Sequence, residues 1–445
     1  MTFVPPPDRG PALGFSAEWL AAQRWFRRKS RRMAKVAVHD AARLGGDGWL
    51  LVLSATDEDG AEDRYLVPAV ADGGRFREPR DGEGVWLRLA VLMADGAELR
   101  AERGRFAFSA ASALRRLVPG GQAELLAFGE RRLGVEQSNT SVALGDRLIL
   151  KCYRLVEPGA SVEIEVNAFL TDVRFSGAPR LGGRADYLSD NGPPCAMAML
   201  QELVVSQANG WSWALDHLAG GSRGRNRAVE GIGRLGVLTR ALHTALASRP
   251  AIPGFPSRSA VAEDLIAWHA RATQQLEAAV AALHGAAQAR LLAIAPRLRE
   301  RLDEILGAGA SRVTRIHGDY HLGQVLRTAR GFKVIDFEGE PARPLEERRE
   351  PASPLRDVAG MLRSIDYAAR VSHRQGGLAE PEAWVSSATE AFLAGYGDVS
   401  AAEAGLLGAF EIEKACYEVR YEADNRPDWA WLPLDALERF ARHSA

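Results

Sequence analysis

Cysteine is scarce in this chain of 445 residues, which contains three, at positions 152, 195 and 416. Because their number is odd and they lie far apart, they indicate neither a disulfide framework nor a zinc site. Net charge is lacking too, since 56 basic and 57 acidic residues leave a formal charge of −1. No overall field therefore draws the protein to nucleic acid or to an anionic membrane.

Long apolar runs are also missing. No stretch reaches the roughly 18 consecutive apolar residues that a transmembrane helix needs. The opening "MTFVPPPDRGPALGF" lacks the basic region and apolar run of a signal peptide. The hydrophobic share of 47% is nevertheless ample for a folded core and for two or three domains. We therefore expect a soluble cytoplasmic protein, monomeric or homodimeric, whose partners are small molecules.

Lysine is rare, with five residues against 51 arginines. A lysine in such a chain indicates either a position that needs a compact ammonium group or a chance occurrence. Lys151 stands in "TSVALGDRLILKCYR", where two strand-like runs meet at Gly145-Asp146 and predict a β-hairpin. On the second strand it shares a face with Ile149 and Tyr153. Its ammonium is therefore a candidate partner for nucleotide phosphates.

The segment after the hairpin predicts a helix. In "GASVEIEVNAFLTDV", Ser161 is a candidate N-cap and apolar residues follow it at helical spacing. Glu165 on this helix is a candidate ion-pair partner for Lys151. The stretch before the hairpin is not glycine-rich, but it is rich in small hydrogen-bonding residues that would cover phosphates as a glycine-rich loop does. These residues are Ser138, Asn139 and Thr140.

The segment "HGDYHLGQVLRTARGFKVIDFEGE" concentrates potential ligands and proton acceptors. Asp319 and Gln324 lie in a predicted tight loop, and Asp336 ends a short apolar strand, so the three side chains can converge. Hard cations such as Mg²⁺ prefer a few oxygen ligands, which Gln324 and Asp336 would supply. Asp319 then fits as the base that accepts a proton from an attacking hydroxyl.

Two interpretations of this segment differ in their use of nucleotide. A metal-dependent hydrolase would use His317, Asp319 and His321 without any nucleotide. A kinase-like fold places a hairpin lysine first, a helical glutamate second, and an Asp…Gln…Asp pattern in a mainly helical half. The chain has all three in that order, which favours phosphoryl transfer.

Four stretches carry a resemblance to known enzymes: "EQSNTSVALGDRLILKCYR", "HGDYHLGQVL", "IDFEGEPARPLEERREPASPLRDVAGMLRS" and "NRPDW". They resemble the bacterial maltokinase-like sugar kinases, which belong to the aminoglycoside-phosphotransferase and choline-kinase type. The resemblance covers nearly the whole chain, including an N-terminal cap indicated by "RWFRRKSR". Its motifs are specific, because protein kinases carry HRD and DFG at the corresponding places.

The resemblance implies an α+β, bilobal, protein-kinase-like fold and an ATP-dependent sugar kinase that uses ATP and Mg²⁺. Residues 1–104 would form a β-rich cap, 105–202 an intermediate N-lobe with the nucleotide-binding hairpin, and 203–445 a mainly helical C-lobe with the catalytic loop and sugar site. The resemblance implies that Asp319 is the catalytic base and that Gln324 and Asp336 bind Mg²⁺. It also implies that Lys151, paired with Glu165, binds the phosphates of ATP. The adenine-binding hinge would contain Met199, Gln201 and Leu203.

Two departures from the family pattern bear on the acceptor sugar. Maltokinases usually carry RWFxGKGR, whereas residues 27–30 here read Arg-Arg-Lys-Ser; they commonly read NRPDWLPIPL, whereas this chain has "NRPDWAWLPL". Trp431, close to Trp429, would stack on one pyranose ring while blocking a second. Asp424 adds a carboxylate, which suits an ammonium, although a solvated helix end accounts for it equally well. Together they favour glucosamine, giving glucosamine 6-phosphate, over maltose, giving maltose 1-phosphate.

Further acceptor candidates lie on a predicted helix. Glu413, Tyr417 and Tyr421 recur at i, i+4 and i+8 and so share one helical face. That face either lines the acceptor site or packs in the core. His321 either contributes to the acceptor site or braces the catalytic loop, and bracing is favoured over metal binding.

The stretch "WLAAQRWFRRKSRRMAKV" is strongly basic and contains Trp19 and Trp25. It is either an anion site or a solvated helix end that the two tryptophans anchor. The even charge balance of the whole chain favours the second interpretation.

Overall fold

The computed structural model describes residues 14–27, 31–134, 139–190, 192–308, 311–340, 343–397 and 399–442, with the backbone alone for residues 401 and 402. The chain divides into two compact units, Met1–Val204 and Val205–Ala445. Ser138 and residues 28–30 of the basic stretch lie outside the described residues. Among the described helices, none is both long and apolar enough to span a lipid bilayer.

The first unit is built mainly from antiparallel strands. Its strands are β1 (Met33–Gly45), β2 (Gly48–Asp57), β3 (Glu62–Asp72), β4 (Arg75–Arg77), β5 (Glu98–Arg100), β6 (Gly104–Ala110), β7 (Glu130–Leu133), β8 (Asn139–Leu144), β9 (Leu148–Tyr153), β10 (Leu181–Ser189) and β11 (Cys195–Glu202). Its helices are α1 (Ala17–Ala21), α2 (Val85–Asp95), α3 (Leu114–Leu117), α4 (Gly121–Leu126) and α5 (Val162–Asp172). The strands form a four-stranded sheet in the order β1-β2-β3-β4 and a seven-stranded sheet in the order β5-β6-β10-β11-β9-β8-β7.

The basic stretch packs onto the first sheet through its aromatic residues. Trp25 is 7% exposed, and its ring centroid lies 5.8 Å from that of Trp19. The charged side chains next to them form ion pairs within the unit, Arg27 with Glu157 at 2.9 Å and Arg31 with Asp57 at 3.1 Å. These contacts support the interpretation of tryptophan anchors with solvated charges over that of an anion site.

Asp40 joins the two sheets of the first unit. It lies in β1, where it is 3% exposed. Its carboxylate accepts hydrogen bonds from the backbone N–H groups of Glu102 and Arg103, at 2.9 and 3.2 Å, and from the hydroxyl of Tyr187 at 2.7 Å. Glu102 follows β5 and Tyr187 lies in β10, so one buried carboxylate ties the first sheet to the second.

Replacement of Asp40 by alanine is expected to lower the free energy of unfolding by about 3 kcal/mol or more, because it leaves buried N–H and O–H donors without an acceptor. Urea denaturation followed by circular dichroism measures the change. The matched control is Asp47→Ala, which removes an exposed carboxylate from the β1–β2 turn. Equal losses in the two variants would contradict this role for Asp40.

The predicted hairpin and helix cap are both present. Strands β8 and β9 pair antiparallel around Gly145, whose φ of +55° suits a residue without a side chain. Helix α5 begins after Ser161, whose hydroxyl accepts a hydrogen bond from the N–H of Ile164 at 3.4 Å. Lys151 is therefore held in a rigid strand that is followed closely by a capped helix.

The second unit is mainly helical, as predicted. Its helices are α6 (Gly210–Ala219), α7 (Gly221–Leu246), α8 (Ala262–Ala282), α9 (Gly285–Asp303), α10 (Leu345–Arg348), α11 (Leu355–Arg374), α12 (Pro381–Tyr396), α13 (Ala401–Asn425) and α14 (Trp431–Arg442). Its strands are β12 (Ala208–Asn209), β13 (Ser257–Ser259), β14 (Arg312–Thr314), β15 (Val325–Thr328) and β16 (Gly331–Val334). Together with the strand-rich first unit, this confirms an α+β fold.

A short hairpin in the second unit positions the predicted metal ligands. β15 and β16 pair so that Val325 lies opposite Val334. Gln324 immediately precedes β15, and Asp336 follows β16 by two residues. Both side chains are therefore carried to the same end of one hairpin.

Candidate active site

The loop that carries Asp319 is anchored by a buried carboxylate. Asp357 of α11 is 2% exposed and accepts hydrogen bonds from the N–H groups of His317 and Gly318, at 2.8 and 2.9 Å. His243 of α7 adds a third contact through Nε2 at 3.0 Å. Burial acts to raise the pKa of Asp357, but the hydrogen bond and charge of His243 outweigh it and hold the pKa below its ordinary value. An ionised Asp357 thus fixes the backbone on which Asp319 stands.

Helix α11 also approaches this loop very closely. A Cβ atom on Gly360 would lie 2.6 Å from the carbonyl oxygen of Tyr320, which is closer than real Cβ contacts allow. Glycine at this position therefore lets the helix that carries Asp357 pack directly against the backbone beside Asp319.

Asp319 lies between two cationic or potentially cationic groups. The Nζ of Lys414 in α13 donates a hydrogen bond to its Oδ1 at 3.1 Å, and Nε2 of His321 is 3.8 Å from its Oδ2. Burial acts to raise the pKa of Asp319, but the charge of Lys414 is the largest opposing influence and the pKa lies below its ordinary value. At neutral pH the carboxylate is ionised and can accept a proton.

His321 braces this loop in its neutral form. Its Nδ1 accepts a hydrogen bond from the N–H of Gly323 at 3.0 Å, so the proton of the neutral ring is on Nε2, toward Asp319. Desolvation lowers the pKa of His321 below its ordinary value, despite the opposing charge of Asp319. These contacts support bracing of the loop over metal binding.

His317 has both ring nitrogens in use. Nε2 is 3.0 Å from the carbonyl oxygen of Ile335, and Nδ1 accepts the N–H of Asp319 at 3.3 Å. A histidine needs a free ring nitrogen to bind a metal ion. The His/Asp cluster of a hydrolase therefore does not form.

Gln324 and Asp336 meet, with the amide nitrogen of Gln324 3.1 Å from Oδ2 of Asp336. Rotation of the amide by half a turn presents its oxygen beside the carboxylate, which gives a hard cation two oxygen ligands. Asp336 has a φ of +66°, a left-handed conformation that is uncommon outside glycine. Backbone strain of this kind collects at functional sites, and the residue types fit Mg²⁺.

In the first unit, Lys151 pairs with a glutamate that the sequence analysis did not name. Its Nζ lies 2.9 Å from the carboxylate of Glu163, a buried residue of α5. Glu165 is two positions later, about 200° around the helix, and it is half-buried. The predicted helix therefore does supply a partner for Lys151, and the role of Glu165 stays a prediction.

Other predicted nucleotide-binding residues also lie in the first unit. Asn139 begins β8, and the hydroxyl of Thr140 accepts a hydrogen bond from Nε of Arg154 at 2.8 Å, which gives this side chain a structural contact. The predicted hinge is the end of β11, where Met199 is fully buried and Gln201 half-buried. Leu203 follows the strand.

Comparison with known proteins identifies the family. Residues 129–397 match the model of the phosphotransferase enzyme family, and residues 19–83 match the maltokinase N-terminal cap domain. The chain belongs to the phosphotransferase enzyme family. A glucosamine kinase of Streptacidiphilus jiangxiensis is 31% identical over 429 residues, which cover 90% of this chain and 92% of that protein. A second glucosamine kinase, of Mycolicibacterium smegmatis, is 27% identical over 419 residues, 89% of this chain and 96% of that protein.

A solved structure agrees with these sequence matches. The chain is similar to a glucosamine kinase in complex with glucosamine, ADP and inorganic phosphate, with a TM-score of 0.73 and 26% identity over 98% of this chain and 99% of that one. The predicted resemblance to the aminoglycoside-phosphotransferase type, and to its glucosamine kinase branch, is confirmed.

In this phosphotransferase the predicted acceptor residues fall into two places. Glu413 and Tyr417 line a cavity of about 690 Å³ in the second unit, together with Asp319 and Lys414. The carboxylate of Glu413 is already bound by Arg356 at 2.8 Å. Of the predicted face, Tyr417 thus remains available to an acceptor in this cavity.

The remaining predicted acceptor residues are not among the described residues that line this cavity. Tyr421 is 47% exposed, and Asp424 is exposed near the end of α13. Trp429 stacks on Tyr367 with an interplanar angle of 7° and a centroid distance of 6.5 Å. The guanidinium of Arg374 lies 5.8 Å from the ring of Trp429 and 5.4 Å from that of Trp431. Trp429 and Trp431 thus form an aromatic surface of their own.

Lys414 is the functional candidate that sequence reasoning missed. It lies 95 residues from Asp319 along the chain, so no local pattern links the two. A signal was present, because Lys414 is one of five lysines and stands on the helix that carries Glu413 and Tyr417. Its ammonium also lies 4.6 Å from the ring centroid of Tyr417.

Proposed function

We propose that this phosphotransferase transfers the γ-phosphoryl group of ATP to a hydroxyl group of glucosamine, giving glucosamine 6-phosphate. The observation that carries the proposal is Asp319, an ionised carboxylate that Lys414 holds in the lining of a cavity large enough for a sugar. Two relatives that match about nine-tenths of the chain are glucosamine kinases. This agreement favours an amino sugar as acceptor.

In the proposed mechanism, Asp319 orients the acceptor hydroxyl and takes its proton as the oxygen attacks phosphorus. Its Oδ1 is held by Lys414, so Oδ2 is the atom that would receive the proton. Lys151, held by Glu163, would bind phosphate oxygens of ATP. Catalysis of this kind depends mainly on positioning and electrostatic stabilisation.

Gln324 and Asp336 would hold Mg²⁺. When bound there, the ion would offset negative charge on the phosphates. The left-handed backbone at Asp336 and the contact between the two side chains support this assignment, because together they set two oxygen-bearing groups at one hairpin end.

Maltose is the second candidate acceptor, because residues 19–83 match a maltokinase cap. A panel of glucosamine, glucose and maltose with ATP and Mg²⁺ separates the candidates. We expect kcat/KM for glucosamine to exceed that for the other two sugars by on the order of tenfold or more, since a site that binds the amino group discriminates against its absence. Steady-state kinetics, with the phosphorylated position identified by NMR, measures this. A clear preference for maltose would overturn the proposed acceptor.

The same panel tests Asp424 as the partner of the amino group. If Asp424 binds the ammonium, Asp424→Asn raises KM for glucosamine and leaves KM for glucose unchanged. Asp428→Asn is the matched control, because Asp428 is also exposed in the same "ADNRPDW" stretch. Unchanged KM values in both variants would show that Asp424 is a solvated residue at a helix end.

A further inference from the structure

The cavity beside Asp319 is lined by many charged side chains. It is formed within the second unit by α8, the Asp319 loop, the segment after Asp336, the start of α11 and the middle of α13. Among the described residues that line it, six side chains are basic and seven are acidic. Because this balance is nearly even, any preference for a charged ligand must come from local separation of the charges.

The basic side chains are concentrated around one carboxylate. Glu413 lies 2.8 Å from Arg356, 3.2 Å from Arg271 and 3.9 Å from Arg343, and its side chain is 6% exposed. We call these three arginines the guanidinium cluster. Arg343 has a second partner, Glu340, at 2.9 Å. Several of the acidic lining residues are instead exposed, namely Glu263, Glu347 and Glu350.

The guanidinium cluster has more donors than these carboxylates satisfy. Nη2 of Arg271, and Nε and Nη2 of Arg356, are buried and have no hydrogen-bond partner among the described residues, while Nε of Arg271 has the ion-pair contact with Glu413 alone. Burial, and then the charge of Arg356, lower the pKa of Arg271 to about 9. An added anion stabilises positive charges that lie close together. The guanidinium fork matches the oxygens of phosphate in two-point contacts.

We propose that the guanidinium cluster binds the phosphate group of a small phosphomonoester. The ligand that fits best is the phosphorylated sugar formed at Asp319, and this part of the inference rests on the proposed function. The cavity volume of about 690 Å³ is sufficient for a monosaccharide phosphate, and Asp319 is among the residues that line the cavity. The exposed glutamates that also line it suit the ammonium group of an amino sugar. Product bound here would compete with the next acceptor and slow turnover.

The test is calorimetric titration of the whole enzyme with inorganic phosphate, glucosamine 6-phosphate and glucosamine. Arg271→Gln is expected to weaken binding of both phosphates by about tenfold or more, since hydrogen bonds to charged groups are strong. The matched control is Arg258→Gln, because Arg258 also lines the cavity but is paired with Asp264 and is not part of the guanidinium cluster. The control is expected to bind both phosphates as the unchanged enzyme does. In kinetics, Arg271→Gln should raise the inhibition constant of glucosamine 6-phosphate by a similar factor.

A second pair of variants keeps the test decisive. Arg271→Lys retains the positive charge but lacks the planar guanidinium group. Phosphate affinity between that of the unchanged enzyme and complete loss would therefore support the proposal, even if Arg271→Gln does not fold. Lys151→Met separates the cavity from the nucleotide site: phosphate binding that is lost in Lys151→Met and kept in Arg271→Gln overturns the proposal. Binding of inorganic phosphate alone would overturn the assignment to the product. The inorganic phosphate measurements require no sugar kinase activity, so their outcome is independent of the proposed function.

Discussion

Replacement of Asp319 by asparagine is expected to reduce kcat by on the order of 10³-fold or more, because the amide cannot accept the proton of the attacking hydroxyl. Asparagine keeps the size of the side chain and can still hydrogen-bond, so KM for ATP should change little. Initial rates with glucosamine, ATP and Mg²⁺, measured at saturating substrate, give the ratio.

Asp303→Asn is the matched control for this prediction. It makes the same chemical change at a carboxylate whose side chain is 63% exposed on α9. It should retain full activity. An Asp319→Asn enzyme that kept more than about a tenth of the original kcat would rule out general-base catalysis by Asp319, given the usual contribution of such a base.

Replacement of Lys414 by methionine is expected to reduce kcat by about 10²-fold at neutral pH, because Asp319 loses the ammonium that orients its Oδ1. The pH profile provides a second readout. Burial acts to raise the pKa of Asp319 and Lys414 acts to lower it. Without Lys414 the pKa rises, so the base becomes protonated at a higher pH. The acidic limb of the kcat profile should therefore move to higher pH.

Two further variants serve as controls for the effect of Lys414→Met. Lys414→Arg keeps a positive charge and should restore the acidic limb toward its original position, with partial recovery of kcat. Lys35→Met removes an exposed lysine from β1 and should leave the profile unchanged. A Lys414→Met enzyme with the original acidic limb would show that Lys414 supports the fold and does not tune Asp319.

Local patterns made part of the site predictable. The hairpin around Gly145 and the N-cap at Ser161 depend on neighbouring residues, and both are present. The meeting of Gln324 and Asp336 follows from a short hairpin between them. In each case a few residues determine the geometry, so the sequence alone was sufficient.

Contacts between distant segments were not predictable in the same way. Lys151 pairs with Glu163 because of the way α5 is placed beside β9, and nothing in the local pattern singled out that glutamate. The pairing of Lys414 with Asp319, and of Glu413 with Arg271 and Arg356, depends on how α13 packs against α8 and α11. Helix packing of this kind leaves no spacing rule in one sequence. The domain boundaries and the roles of Tyr421 and Trp431 stay predictions.

The backbone at Asp336 has a consequence for laboratory evolution. Its φ of +66° costs a side-chain-bearing residue on the order of 1 kcal/mol relative to glycine. A screen that rewards heat resistance alone would therefore favour glycine at this position, and the enzyme would gain stability while losing a proposed metal ligand. Mutant libraries that aim to increase the thermal stability of this protein should keep Asp336 unchanged or select for activity at the same time.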